Sequence, residues 1–232
     1  MAKTARQNVQ YCLDMIKEES TNYIDNMNEN ENMLDQLEIS LTNYITEIAD
    51  TPLNAEENKL VSGYFHTVKD IERIGDYCDN IADNIKIMVD QKIKFTDYGK
   101  KGLSIFFDAV EHITDLTVQA FEANSTEFAE RIEPLEEVID NIKEELEKDH
   151  LDRLKQKVCS VEAGVVFLEI LSNLERIADH CSNIGVAIIQ NKCETPNFNT
   201  HEYLKKIHKE MPDRYRKDYL HFQEKYALPK AE

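Results

Sequence analysis

Two short segments of this sequence place acidic residues at the same spacing in the same surroundings. IERIGDYCDNI begins at residue 71 and LERIADHCSNI begins at residue 174. Each carries a glutamate, an aspartate and an asparagine at intervals of four: Glu72, Asp76 and Asn80 in the first, and Glu175, Asp179 and Asn183 in the second. Residues at this interval share one face of a helix, where like charges destabilise it by roughly 0.2–0.5 kcal/mol. Their repetition therefore indicates a use beyond solvation.

A second acidic motif is also written twice. The segments ENMLD and EEVID contain Glu31 with Asp35 and Glu136 with Asp140, again four residues apart. If the helices that carry the two motifs are neighbours, four carboxylates converge, and they repel each other unless they are protonated or bridged by cations. Oxygen-rich sites of this kind suit Mg²⁺, Mn²⁺, Ca²⁺ or Fe³⁺. The spacing predicts one metal site per repeat, with a merely solvated acidic face as the alternative.

The elements that must position these acids are predicted to be long helices. The chain has only 6 glycines and 5 prolines in 232 residues, and 31% of its residues are charged, a composition typical of helical proteins. Apolar residues recur at intervals of three and four. They predict six helices, at about residues 3–19, 20–50, 55–92, 103–123, 126–150 and 153–191.

The last three predicted helices repeat the order of the first three. The sequence therefore predicts an all-α fold of two tandem three-helix bundles, with six long antiparallel helices. We call residues 1–96 the first repeat and residues 97–192 the second repeat; residues 193–232 form a C-terminal extension with two short amphipathic helices around Pro212. Small residues on the third helix of each repeat, such as Gly75 and Gly185, allow close helix approach, and Cys78 and Cys181 are expected to be buried and inert.

Charge and cysteine usage exclude several classes of protein. The net charge is −18, and residues 193–232 contribute about +1, so the body of the chain is strongly acidic. An acidic body disfavours nucleic acid and anionic membranes as partners. Five cysteines without a CxxC pair fit a reducing compartment, and the sequence has no signal peptide and no apolar run of spanning length. We expect a cytoplasmic protein.

The repeated segments resemble the paired signature of PhoU proteins, which regulate phosphate uptake in bacteria and archaea. The resemblance extends to about residue 191 and implies a six-helix fold of two similar bundles with multinuclear iron or zinc on the acidic faces. It assigns metal-ligand roles to two sets: Glu31, Asp35, Glu72, Asp76 and Asn80, and Glu136, Asp140, Glu175, Asp179 and Asn183. The second repeat departs from the first at Ser182 and Val186, where the first has Asp79 and Asp83, which implies a second site poorer in anions.

The C-terminal extension is similar to that of PhoU-like domains in sodium/phosphate cotransporters, where the domain follows the membrane segments on the cytoplasmic side. This implies the transporter's membrane domain as the partner, in the same chain or as a separate protein. A stand-alone regulator that contacts a sensor kinase is the alternative. Long exposed helical faces also make a homodimer plausible.

Enzyme signatures are missing from the sequence. There is no nucleotide-binding glycine loop and no nucleophile elbow. A di-metal oxidase would need two ExxH motifs, and only Glu147 with His150 matches. His201, His208 and His221 lie in the extension and are expected on the surface. We therefore expect a regulatory protein rather than an enzyme, with a metal-free helical interaction bundle as the remaining alternative.

Overall fold

The computed structural model describes residues 1–193 and 199–229, and every regular element within them is a helix. The helices are α1 (Ala2–Glu18), α2 (Ile24–Ala49), α3 (Ala55–Asp90), α4 (Asp97–Ala123), α5 (Thr126–Ala129), α6 (Ile132–Lys155), α7 (Val161–Lys192), α8 (Thr200–Glu210) and α9 (Asp213–Lys225). The prediction of an all-α fold is confirmed. Among these helices, none is both long enough and apolar enough to cross a membrane.

The two long helices α3 and α7 form the centre of the molecule and pack along each other. Helices α1 and α2 flank α3, α4 and α6 flank α7, and α9 lies against α6. One continuous apolar core joins both repeats, with fully buried side chains such as Ile81, Phe106 and Phe167. Cys78 and Cys181 are fully buried, as expected, and burial raises the pKa of the Cys181 thiol to about 12.

The division of the chain into two repeats and an extension, at residues 96 and 192, stays a prediction.

Local sequence explains how α3 starts and how closely α2 approaches it. The Asn54 side chain accepts hydrogen bonds from the backbone N–H groups of Glu56 and Glu57, and the Glu57 side chain accepts one from the Asn54 N–H, which makes a capping box. A Cβ atom at Gly75 would lie 2.7 Å from Leu34 Cδ1 and 2.8 Å from Glu31 Oε2, so a larger residue here would displace these two side chains of α2. Gly75 thus serves the α2 contact rather than the seam between the third helices.

The predicted start of the fourth helix at residue 103 is wrong. Helix α4 begins at Asp97, with the Thr96 side chain accepting a hydrogen bond from the Gly99 N–H. Both glycines of the segment TDYGKKG (residues 96–102) lie inside the helix, and Gly102 fits against α6, where a Cβ atom would lie 2.4 Å from Leu146 Cδ2.

The predicted single helix over residues 126–150 is also wrong, because it is interrupted at residues 130 and 131. Pro134 has no N–H to donate and its ring would clash with the carbonyl of residue 130, so a helix cannot run through this point. The chain restarts at Ile132 with Pro134 in the first turn, where proline is tolerated. Helix α7 begins at Val161 rather than residue 153, capped by Ser160, whose Oγ accepts a hydrogen bond from the Ala163 N–H.

Candidate metal centres

The second acidic cluster brings together residues from α6 and α7. One carboxylate oxygen each from Glu136, Asp140 and Asp179 lies within 4.8 Å of the other two. Glu175 lies one turn before Asp179 on α7 and raises the pKa of Asp140 by its charge. Four of the residues that the sequence predicted for the second site are therefore neighbours, and the oxygens of Glu136, Asp140 and Asp179 approach to distances that a bound cation could span.

Burial and mutual repulsion make the ionised form of this cluster unfavourable. Burial, followed by the charges of Glu175 and Asp179, raises the pKa of Asp140 to about 6. Burial and the neighbouring Glu133 raise the pKa of Glu136, and burial with Glu175 raises that of Asp179. Each of these carboxylates would be more easily ionised beside a positive charge.

The basic residues near the cluster compensate only part of its charge. Lys143 Nζ lies 3.4 Å from Glu175 Oε1, and Arg176 Nη1 lies 3.2 Å from Asp179 Oδ2. The other Glu175 oxygen, Oε2, lies 3.7 Å from Arg176 Nε but, like Asp140 Oδ1, is buried without a hydrogen-bond partner among the described residues. Buried carboxylate oxygens normally have partners, so the donor set fits a hard or borderline cation, which would satisfy both atoms.

The first acidic cluster is more open. Burial, followed by the charges of Asp76, Asp35, Asp79 and Glu72, raises the pKa of Glu31 to about 8, and Glu31 Oε2 is buried without a hydrogen-bond partner among the described residues. Asp35 itself is exposed. Within residues 1–193 and 199–229, Glu136, Asp140 and Asp179 of the second repeat form the one group of three acids whose possible ligand atoms all lie within 4.8 Å of one another.

The two predicted asparagine ligands have different surroundings. Asn80 is exposed on α3. The Asn183 amide on α7 donates a hydrogen bond across to α3, with Nδ2 3.4 Å from Asp70 Oδ1, and His180 Nδ1 lies 2.8 Å from the same oxygen. The His180 ring stacks on Tyr77, with centroids 5.6 Å apart. Asn183 thus takes part in the contact between the two central helices.

A further acid beside the second cluster was missed by the sequence interpretation. Glu133 on α6 is buried, accepts a hydrogen bond from the Ser182 hydroxyl, and lies 2.8 Å from His208 Nε2 through its second oxygen. Ser182 stands where the first repeat has Asp79, but the neighbouring Glu133 supplies a carboxylate at the same place in the second repeat. The residue equivalent to Glu133 in the first repeat is Asn28, so a search for repeated acids could not find it.

The C-terminal helices cover this side of the second cluster. The hydrogen bond to Glu133 raises the pKa of His208 on α8, and the Tyr215 hydroxyl of α9 donates to Glu137. Phe222 of α9 is fully buried. In the described part of the chain, α9 packs on α6 and α8 reaches Glu133 through His208, whereas no contact of this kind is seen at the first cluster.

Comparisons with known proteins agree with the resemblance of the repeated segments. The family model described as the PhoU domain matches residues 1–85 and 103–188, which is more than half of the chain. The phosphate-specific transport system accessory protein PhoU homolog 1 of Thermotoga maritima is 29% identical over 120 residues, which cover 52% of this chain and 51% of that protein. The chain thus matches about half the length of this curated relative.

Two solved structures share the fold. The crystal structure of PhoU from Pseudomonas aeruginosa has a TM-score of 0.79 at 17% identity, covering 84% of this chain and 93% of that chain. The phosphate transport system regulatory protein PhoU from Streptococcus pneumoniae has a TM-score of 0.73 at 16% identity, with coverages of 85% and 92%. At these identities the likeness shows the fold alone.

Proposed function

Because the chain belongs to the PhoU family, we propose that it is a metal-binding regulatory domain that controls phosphate uptake. PhoU-family proteins are regulatory accessory proteins rather than enzymes. The curated relative is named as an accessory protein of a phosphate-specific transport system, and that role, transferred to this chain, is the core of the proposal.

Metal binding is supported above all by the meeting of Glu136, Asp140 and Asp179 within 4.8 Å. These three residues, with Glu175, would hold the ion or ions of the second site, and Asp140 Oδ1 and Glu175 Oε2 are the atoms that gain partners. The family resemblance implies iron or zinc, and Mn²⁺ or Mg²⁺ would also suit carboxylate ligands. When bound, the cations neutralise the acidic face and give it the positive charge that attracts an anion or an acidic partner.

The first cluster is proposed as a second, more exposed metal site. Glu31, Asp35, Glu72 and Asp76 would be its ligands, and the buried Glu31 Oε2 supports this assignment. Burial, with the charge of Asp76 as the next cause, also raises the pKa of Glu72. Because Asp35 is open to solvent, we expect this site to bind metal more weakly than the second.

We propose that the domain acts at the cytoplasmic face of the membrane on a phosphate transporter. The transporter's membrane domain is the expected partner, either in the same polypeptide as part of a sodium/phosphate cotransporter or as a separate protein. The helical C-terminal extension supports the cotransporter form. In the stand-alone form a sensor kinase would be a further partner, and a homodimer is compatible with either. Regulation requires that the domain favour one state of the transporter over another.

Metal analysis of the purified full chain tests the sites. We expect protein prepared without an affinity tag to contain iron, zinc or manganese in stoichiometric amounts by inductively coupled plasma mass spectrometry. Glu136→Gln/Asp140→Asn should remove the metal of the second site, and Glu72→Ala/Asp76→Ala that of the first. Glu145→Gln/Asp152→Asn removes two exposed acids from the same helix α6 and serves as the matched control. No metal in wild type, even after incubation with these ions, would leave a metal-free interaction bundle.

Phosphate uptake in cells tests the regulatory role. In the native host we expect deletion of the gene to change the uptake of radiolabelled phosphate, and the wild-type gene to restore it. If regulation needs bound metal, the Glu136→Gln/Asp140→Asn gene should restore normal phosphate uptake poorly. The control gene, with Glu145→Gln/Asp152→Asn, should restore normal uptake fully. Unchanged uptake after deletion, in cells grown with either scarce or abundant phosphate, would refute the regulatory proposal.

A further inference from the structure

A cavity of about 210 Å³ lies where the ends of α1 and α3 meet the start of α4. We call it the junction cavity, and its lining residues are Ile16, Lys17, Glu19, Met88, Ile93, Phe95, Lys100, Leu103 and Ser104. These residues belong to neither acidic cluster. They come from both repeats, so a molecule bound here would contact both.

The interior of the junction cavity is apolar. Leu103 and Met88 are buried, and Ile93 and Phe95 pack against the core. The Phe95 ring also packs edge-to-face on Phe167, with centroids 5.3 Å apart, which holds this wall in place. An apolar cavity of about 150 Å³ is enough to bind benzene. The junction cavity therefore has room for an apolar group of about six carbons.

The rim of the junction cavity is basic, in contrast to the chain as a whole. The connection from α3 to α4 and the first five residues of α4 contain four lysines and one aspartate, whereas the net charge of the chain is −18. Lys100 lines the rim, and Lys94 reaches it by its contact with Glu19. Lys17 adds a third head group, whose Nζ lies 3.4 Å from Asp108 Oδ1. Three lysines thus face two acids at this opening.

Glu19 shows how this rim holds a carboxylate. Its Oε1 lies 2.5 Å from Lys100 Nζ, and its Oε2 accepts a hydrogen bond from Lys94. These two hydrogen bonds lower the pKa of Glu19, so the lysine pair favours a carboxylate in its charged form. Each lysine head group has three N–H donors, and two such groups can therefore hold a carboxylate that comes from another molecule.

We propose that the junction cavity binds a small aliphatic carboxylate. The chain of this ligand lies among Met88, Ile93 and Leu103. Its carboxylate takes the place of the Glu19 carboxylate beside Lys100. Apolar walls with a few charged groups that fix the orientation of the ligand are typical of small-molecule sites. The proposal goes beyond phosphate regulation and metal binding, because it gives the domain a site for an organic ligand.

NMR of the methionine methyl groups in the full chain tests the site. Protein labelled with ¹³C at these methyl groups has one probe in the cavity, Met88, and an exposed one outside it, Met33 on α2. Titration with sodium hexanoate should shift the Met88 resonance saturably and leave the Met33 resonance unchanged. Absence of a saturable shift at Met88 would overturn the proposal.

Three related probes separate the contributions of chain and charge. Hexanol has the chain without the charge, acetate has the charge with a minimal chain, and hexylamine has the opposite charge. Each should bind about tenfold more weakly than hexanoate, or weaker still. Hexanol that binds as tightly as hexanoate would reduce the site to an unselective apolar cavity. Acetate that binds as tightly would reduce it to a surface contact for anions, and either result overturns the proposal.

Substitutions at the rim should act in opposite directions. Lys94→Gln/Lys100→Gln should weaken the binding of hexanoate about tenfold, because the groups that hold its carboxylate are lost. Lys92→Gln/Lys101→Gln removes two exposed lysines of the same segment and, as the matched control, should bind like wild type. Glu19→Gln removes the competing carboxylate and should tighten binding severalfold, a gain that a purely structural role of Glu19 would not produce. Unchanged affinity in both rim variants would overturn the proposal.

Filling the cavity tests its interior. Ser104→Leu adds an apolar side chain at a lining position of α4 and should weaken hexanoate binding about tenfold. Ser40→Leu makes the same change at an exposed position of α2 and should leave binding unchanged. Circular dichroism checks that both variants keep the helical content of wild type. Wild-type affinity in a folded Ser104→Leu variant would place the ligand elsewhere and overturn the proposal.

Discussion

Asp140 illustrates how single residues of the second cluster are expected to destabilise the metal-free protein. Its folded-state pKa is raised to about 6 by burial and by Glu175 and Asp179. Between its unfolded value near 4 and this raised value, the folded state holds the proton more tightly, so stability falls as the pH rises through that interval. At neutral pH the folded state therefore carries an unfavourable charge that the unfolded chain solvates freely.

We expect Asp140→Asn to stabilise the metal-free protein by about 1 kcal/mol at pH 7.5, a value reduced for the partial exposure of the side chain. The gain should fade towards pH 4, where Asp140 is protonated in both the folded and unfolded states. Urea denaturation in the presence of a chelator measures both values. Glu145→Gln, an exposed acid on the same helix, is the control, and an equal gain at both pH values would contradict the assigned cause.

The acidic residues that could be predicted from the sequence are those found at equivalent positions in both repeats. The duplication identified Glu136, Asp140 and Asp179, whose oxygens meet, because the same spacing occurs in both repeats. Glu133 and its partner His208 escaped notice, since Glu133 is replaced by Asn28 in the first repeat and His208 lies in the unrepeated extension. A sequence pattern also does not reveal burial, which separates the closed second cluster from the open first one.

At the scale of the helices, the sequence predicted the number of long elements but not all of their ends. Periodicity is a property of helix interiors, whereas ends depend on single residues. The apolar spacing carries no sign of the restart that Pro134 imposes at Ile132, and α4 includes Gly99 despite the low helix propensity of glycine. The capping of α7 by Ser160 was likewise hidden by the apolar residues that precede it.

The contact between α9 and α4 contains a half-buried histidine. The ring of His112 on α4 packs edge-to-face on Phe222, with centroids 5.4 Å apart, and its Nδ1 lies 2.8 Å from the Tyr226 hydroxyl. Burial, followed by the charges of Lys225 and Arg131, lowers the pKa of His112 to about 4. The unfolded chain takes up this proton near pH 6.5, so acidification between pH 6.5 and 4 favours unfolding.

We expect wild-type protein to lose about 1 kcal/mol more than His112→Gln between pH 7 and pH 5, after allowance for the partial exposure of the ring. Urea denaturation at the two pH values gives the comparison. His201→Gln, an exposed histidine on α8, should keep the wild-type pH dependence. Parallel pH profiles for wild type and His112→Gln would show that docking of α9 does not depend on this proton.

At the scale of the whole molecule, the two repeats share their apolar interior. The core residues of α3 and α7 belong to one continuous cluster that also includes side chains of α1, α4 and α6. Separating the repeats would expose the contact between the two central helices, which is the most extensive in the structure. Elements that bury a common surface normally unfold together.

We therefore expect one cooperative thermal transition for the full chain. Circular dichroism at 222 nm and scanning calorimetry should give the same midpoint, with matching calorimetric and van't Hoff enthalpies. Leu146→Ala, which truncates a fully buried side chain of the second repeat, should lower that single midpoint rather than split the transition. Two resolved transitions would show that the repeats are separate folding units.

The stacking of Tyr77 on His180 indicates how the two repeats are related to each other. The two residues occupy the same place in their respective repeats, and their rings meet where α3 crosses α7. A position that touches its own counterpart is the hallmark of an isologous two-fold interface. The molecule thus has the form of a symmetric homodimer whose subunits became one polypeptide. Within one polypeptide the two halves can differ at this axis, and here one carries a tyrosine and the other a histidine.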